Sequence, residues 1–459
     1  MARVAPLAAA AWLAGCSMMP AYERPPAPVP GDWPAAAAAT GTAAAELDWQ
    51  VFFADARLRQ LIGIALRNNR DLRVAVLNIE QARAQYDIRR ADRFPTVNAA
   101  ASGSRSPAAD GGTNKTYTAG LAVTAWEIDL FGRVASLGEA ALAQYLGTEE
   151  GRKAAQVSLV ASVANTWLAL VADDELLALT RQTLTTREES LRLTRLRFEN
   201  GAASELDFRQ SQSLFEGARV ALAQQQRQRA QDLNALALLL GEPVPTDLQT
   251  PATMASLALP DLPAGTPSEV LVRRPDVRQA EQQLIAANAN IGAARAAFFP
   301  RISLTAGVGT ASSQLSDLFQ GGSWGWTAAP QLLLPIFDAG RNSAGLRSAN
   351  VSRDIAVAQY EKAIQSAFRE VADALAGRAT LGEQLQAQGN VAEAEAVRFR
   401  LSELRYTNGV SSYLDLLDAQ RSLFAARQAL IQTRLAQLQN QVLLYRALGG
   451  GWSGIAVAP

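Results

Sequence analysis

A chain of 459 residues with no histidine and a single cysteine has few side chains suited to chemistry. The commonest general base and metal ligand is missing, and no disulfide can form within the chain. Carboxylates, serines and lysines remain, but they form no catalytic constellation, so an enzyme, a cofactor or a metal site is not expected. Two acidic motifs recur with meaningful spacing, Ser204-Glu-Leu-Asp207 and Ser412-Tyr-Leu-Asp415. A serine followed three residues later by an acid reads as a capping box at a helix N-terminus. Asp418 lies three residues beyond Asp415, so on a helix the two carboxylates share a face.

The cysteine suggests different chemistry. Arg3, a short apolar stretch and Leu13-Ala14-Gly15 precede Cys16, a secretory signal whose cleavage site resembles a bacterial lipobox. Cleavage would leave Cys16 as the first residue, its thiol carrying diacylglycerol and its amine acylated, and several acyl chains hold a protein on a membrane. Ser17 rather than Asp follows, which in bacterial lipoproteins favours the outer membrane. Residues 16–46, rich in Pro and Ala, read as a lipidated tether.

Composition narrows the class. Basic and acidic residues balance at 43 each, so no global field favours nucleic acid. Apolar residues make up 49%, yet no run approaches the roughly 18 to 20 continuous apolar residues of a spanning helix. If the chain crosses a membrane, it does so as a closed barrel.

An internal duplication organises the rest. Gly132-Arg133 recurs as Gly340-Arg341, an offset of 208 (340 − 132). At the same offset Arg197-Phe-Glu-Asn-Gly201 recurs as Arg405-Tyr-Thr-Asn-Gly409, and Leu240-Gly241 as Leu448-Gly449. Each unit opens with a helix, Asp71–Phe94 or Asp276–Phe299, stopped by Pro95 or Pro300. Strand patterns follow at Thr116–Trp126 and Arg301–Thr310, one face apolar and the other small and polar, as in a barrel wall; a soluble hairpin gives the same pattern. Gly103–Asn114 and Thr310–Gly322 read as loops, and Trp126, Trp324 and Trp326 fall near strand ends, where an interfacial aromatic belt sits. Then come long helices, Arg133–Glu199 with return Ser204–Leu240, and Arg341–Thr407 with return Ser412–Leu448. A long helix spans about 100 Å, its return about 55 Å and a first helix about 35 Å, so two shorter helices end to end balance one long one. That balance points to a tube of antiparallel coiled coils. Val157, Val160, Ala164, Trp167 and Val171 step by three and four along one seam, as do Leu416, Ala419, Leu423, Ala426 and Leu430.

With these residues in view, the chain resembles the outer membrane factor (TolC-like) family, in the lipoprotein branch serving resistance-nodulation-division efflux pumps. The resemblance rests on Phe94-Pro95 and Phe299-Pro300, on Trp126-Glu-Ile-Asp-Leu-Phe-Gly-Arg133 and Pro335-Ile-Phe-Asp-Ala-Gly-Arg341, and above all on Arg405–Arg421 closed by Leu448-Gly449-Gly450. It implies a membrane α+β fold: a homotrimer with four strands per protomer in a twelve-stranded β-barrel, continued by a periplasmic helical barrel. It implies an outer-membrane exit duct, without catalysis, for drugs and other small toxic compounds. Its partners would be a periplasmic adaptor, an inner-membrane resistance-nodulation-division pump and outer-membrane lipid. The nearest rival is the same duct serving an ABC-driven type I secretion system.

The family's constriction lies where the long helices turn round. Asp415 and Asp418 match its gate, in a trimer two stacked rings of carboxylates. Asp418 is the stronger gate candidate, because its counterpart in the first unit is Gln210. Asp415 and Asp207 are equally explained as helix caps. Leu414 matches an apolar constriction, Tyr406 a latch, and Arg421 is expected to pair with Asp418 or a neighbouring protomer. Gly201 and Gly409 are candidate adaptor-docking turns and equally good helix C-caps. The expected organisation is signal 1–15, tether 16–46, first repeat 47–250, linker 251–275, second repeat 276–449 and tail 450–459.

Overall fold

The computed structural model describes residues 17–34, 44–107, 111–249 and 253–452. Cys16 lies outside them. After a short helical turn, Trp49–Phe52, the chain forms α1 (Ala56–Asn68), α2 (Arg70–Ala91), β1 (Val97–Pro107), β2 (Thr113–Ile128), α3 (Arg133–Glu199) and α4 (Glu205–Leu240). A short helix, Pro267–Arg273, precedes α5 (Pro275–Ala296), β3 (Arg301–Ser312), β4 (Trp324–Leu333), α6 (Arg341–Thr407) and α7 (Tyr413–Ala447). The described residues form two compact units, one of 17–26, 77–150 and 278–363, the other of 27–76, 151–277 and 364–452.

The first unit carries an antiparallel sheet in the order β1-β2-β3-β4. Both helix-to-strand junctions tighten before the proline: Phe94 N–H donates to the Ala91 carbonyl and Phe299 N–H to that of Ala296. The strands outrun the sequence expectation. β1 and β2 pair from Val97↔Val123 to Pro107↔Thr113, so most of the stretch read as the loop Gly103–Asn114 is hairpin. Asn, Ala, Ser and Gly are poor strand formers, but ladder pairing and contacts such as Ser102 Oγ to Thr118 Oγ1 (2.8 Å) decide the outcome. A bulge between Val123 and Trp126, with Ala125 at φ 50°, keeps Trp126 on the same face as Val123. At the other end of β2, Glu127 accepts two bonds from Arg133 (2.8 and 2.6 Å) and pairs with Arg301 (2.7 Å).

In this unit the first described residues of the segment read as a tether are fastened. Residues 17–24 run along α5: Asn288 Nδ2 donates to the Pro20 carbonyl (2.9 Å), Tyr22 donates to Glu281 (3.0 Å), and Arg24 grips Glu281 through two nitrogens (2.6 and 2.9 Å). Gly292 makes room, since a Cβ there would lie 2.8 Å from Met19 Cα and 2.5 Å from Ser136 Oγ. Pro and Ala content reads as a tether; the donor Asn288 and the acceptor Glu281 on α5 hold its first residues.

The second unit holds the main core. Phe52, Leu61 and Ile62 meet Leu236 and Leu240 of α4, Val371 and Leu375 of α6, and Tyr445 of α7. The seam residues Val160, Ala164, Trp167 and Val171 of α3 are buried there, so the most apolar stretch of that helix is spent on packing. Phe52 and Tyr445 stack at 4.0 Å, and Trp33 stacks on Phe368 at 4.8 Å. Arg274, nearly buried, donates to Asp276, to Glu370 and to the Ala447 carbonyl.

Candidate functional site: the helix turns

The turns joining α3 to α4 and α6 to α7 belong to the second unit and are built alike. Ala202 N–H donates to the Arg197 carbonyl and Gly201 N–H to that of Phe198; Val410 and Gly409 do the same with Arg405 and Tyr406. These are paired Schellman caps, and they require the left-handed backbone that Gly201 (φ 70°) and Gly409 (φ 73°) supply. Both predicted capping boxes are formed. Asp207 N–H donates to Ser204 Oγ (3.1 Å) and Ser204 N–H to Asp207 Oδ2 (3.3 Å); Asp415 N–H donates to Ser412 Oγ (3.3 Å) and Ser412 N–H to Asp415 Oδ2 (3.1 Å). Asp207 and Asp415 are thus cap residues in the protomer.

Asp418 is not a cap. Its half-exposed carboxylate is ion-paired to Arg398 of α6, which also reaches Glu395 (3.1 Å) and Ser422 Oγ (3.3 Å). The Asp418–Arg421 pairing expected from spacing does not occur within the chain. Residues three apart on α7 share a face, but Arg398 comes from the packed neighbour helix and takes the carboxylate first. Arg421 faces another cation: burial chiefly, and then the Arg421 charge, hold the Arg187 guanidinium below its usual pKa. Arg187 Nη1 donates to the Leu214 carbonyl (3.1 Å), and its plane lies 5.3 Å from the Phe424 ring.

Tyr406 links the two repeats. Its hydroxyl accepts from Arg197 Nη1 (2.6 Å), the same guanidinium lies 5.2 Å from its ring, and the ring packs 5.3 Å from Tyr413. Tyr413, Leu416 and Leu417 form a small buried cluster beneath. Leu414 points outward with 53% of its surface exposed, beside exposed Val410. Sequence reasoning missed Arg398, Arg197 and Arg187. One signal was present for Arg398: its counterpart at the 208 offset is neutral Ser190, just as that of Asp418 is neutral Gln210.

A family model described as outer membrane efflux protein matches residues 61–242 and 266–450. The chain belongs to that family. Among its relatives, the toluene efflux pump outer membrane protein TtgC of Pseudomonas putida is 52% identical, across 96% of this chain and 93% of that one. Outer membrane protein OprJ of Pseudomonas aeruginosa is 48% identical, across 98% and 96%. The open-state MtrE outer membrane channel of Neisseria gonorrhoeae superposes with a TM-score of 0.88 at 42% identity, covering 95% of this chain and 99% of that one. As an outer membrane efflux protein, this chain is one protomer of an outer-membrane efflux channel. Its four strands are a third of a twelve-stranded barrel, which also explains the free edges of β1 and β4.

Proposed function

We propose that the channel is the passive exit duct of a tripartite pump, fed by an inner-membrane resistance-nodulation-division transporter through a periplasmic adaptor. The observation that carries this reading is the pair of capped turns with a charged lock beside them. In a trimer the turns bring three copies of Leu414, Asp415 and Asp418 round one axis, as a cation-attracting constriction needs. Asp418, held by Arg398, is the gating carboxylate; Tyr406 on Arg197 latches the first repeat to the second. Asp415 and Asp207 serve the gate mainly by fixing the helix starts, and Arg421 raises the positive potential beside it. The turns at Gly201 and Gly409 receive the adaptor. Cys16 carries the lipid that secures the chain to the outer membrane. Relatives named for toluene, solvent and antibiotic efflux favour small compounds over secreted proteins as cargo.

The test is complementation in a bacterium that keeps its pump and adaptor but lacks its own outer-membrane duct. Restored tolerance to toluene and to antibiotics supports the reading. No restoration by a correctly inserted trimer overturns it. Labelled palmitate incorporated into wild type but not into Cys16→Ser tests the anchor separately.

A further inference from the structure

The two faces of the sheet differ in chemistry. Ala99, Leu121, Val308 and Trp326 form one row across the strands, while Ala100, Gly120, Gly309 and Gly325 form the adjacent row on the opposite face. The face with Leu121, Val308, Trp324 and Trp326 is exposed and apolar, and is the one that meets lipid; the Ser, Thr and Gly face lines the lumen. The helices join the sheet at one end, so the paired ends of β1 and β2, Pro107 and Thr113, lie at the other, outer end.

Near that end the lipid-facing row changes character. Arg105 of β1 stands directly across from Lys115 of β2, one row above Tyr117 and on the side of Ala119 and Leu121. Two like charges in facing positions destabilise a ladder. Neither makes an ion pair among the described residues, and Arg105 bonds only the Tyr117 hydroxyl (3.4 Å). The one carboxylate in the hairpin sequence before Glu127, Asp110, lies outside the described residues. A cation pair that faces lipid above an apolar and aromatic band is complementary to an anion that brings its own hydrocarbon. Arg supplies a planar fork and Lys a point charge, and both suit phosphate oxygens.

We propose that Arg105 and Lys115 clamp the phosphate-bearing headgroup of an outer-leaflet lipid, whose acyl chains lie down the face of Leu121, Val308 and Trp326. The phosphate offsets the repulsion within the pair, and Tyr117 holds the guanidinium toward the headgroup. The clamp would fix a lipid collar at the outer rim.

The test uses purified full-length trimers in detergent, incubated with one outer-leaflet glycolipid in phosphorylated and enzymatically dephosphorylated form. Bound lipid per trimer is counted by native mass spectrometry. Wild type is expected to retain the phosphorylated form about tenfold more than the Arg105→Gln/Lys115→Gln double variant. The dephosphorylated form should bind both weakly and alike, and Arg105→Lys should retain the wild-type preference. Equal retention by wild type and double variant overturns the clamp, as does indifference to the phosphate. Displacement of the lipid by an equal concentration of inorganic phosphate would assign the pair to a free anion instead. Should the double variant not trimerise, Lys115→Gln alone carries the comparison.

Discussion

Arg398 and Asp418 form an ion pair between α6 and α7 at two positions whose counterparts in the first repeat, Ser190 and Gln210, are both neutral. The duplication therefore carries this charge couple in one half only, and both partners are present together. A structural need common to both hairpins would have left a charge in each. The pair is half-exposed, so by itself it adds only about 0.2–1 kcal/mol to stability.

Its removal should therefore alter gating far more than folding. In planar bilayers, Asp418→Asn and Arg398→Gln are each expected to raise single-channel conductance, with heat-resistant trimers preserved. The double variant should resemble the singles rather than add to them, because either change breaks the same contact. Conductance unchanged in both singles would remove Asp418 from the gate.

Asp415 separates cap from gate. Asp415→Asn keeps a side-chain oxygen for the Ser412 amide but removes the charge, whereas Ser412→Ala keeps the charge and breaks the cap. We expect Asp415→Asn to conduct much like wild type, and Ser412→Ala to cost about 1 kcal/mol in stability. A conductance jump in Asp415→Asn, comparable with that in Asp418→Asn, would show that the ring of charge matters more than the cap.

Much of this was readable from residues close together in the chain. The caps at Ser204 and Ser412 and the glycine turns at 201 and 409 follow from types at fixed short spacing, and the long helices from proline-free periodicity. What escaped was set by pairing across the chain. Arg398 is one arginine of many on α6, and helical periodicity does not say which of them faces Asp418. The length of β1 depended on its ladder with β2 rather than on its own Asn, Ala and Ser. The seat of the N-terminal strap was not legible because its partners, Glu281, Asn288 and Gly292, lie far along the sequence.

Acidity should strengthen the second unit. Burial of Asp173, aided by its hydrogen bond to Asp232 and the charges of Asp232 and Asp174, pushes its carboxyl up to about 7 against the pull of Arg229. The folded state thus keeps a proton that the unfolded chain releases near 4, and between about pH 4 and 7 folding takes up protons. Stability from this site is present at low pH and lost as pH rises through 7. The melting temperature of wild type relative to Asp173→Asn should accordingly fall between pH 5 and pH 8; a constant difference would mean that Asp173 stays ionised.

Arg274 ties together the start of α5, the α6 carboxylate Glu370 and the end of α7, with its side chain only 8% exposed. Truncation would leave the Ala447 carbonyl without its donor and Glu370 with only the longer ion pair to Arg446 (3.8 Å). Arg274→Ala is expected to cost about 3 kcal/mol, read as a loss of heat-resistant trimers or a lower denaturation midpoint. Arg274→Lys should recover only part of this, since one ammonium cannot hold Asp276 in the two-nitrogen grip seen here.

The strap along α5 makes the last prediction. Arg24 is half-exposed, but Glu281 is mostly buried and is shared by Arg24 and Tyr22, whose phenol is raised well above its usual pKa, first by burial and then by the Glu281 charge. Glu281→Leu removes the acceptor of both, and Gly292→Leu instead blocks the path of Met19. Either change should free residues 17–24 and expose the Glu23–Arg24 bond to a glutamate-specific protease in the folded channel, whereas wild type resists. If Cys16 carries the proposed lipid and the strap positions it, the same variants should still incorporate palmitate yet be extracted from membranes by milder detergent. Resistance to the glutamate-specific protease unchanged in both variants would show that the strap is held by something other than this seat.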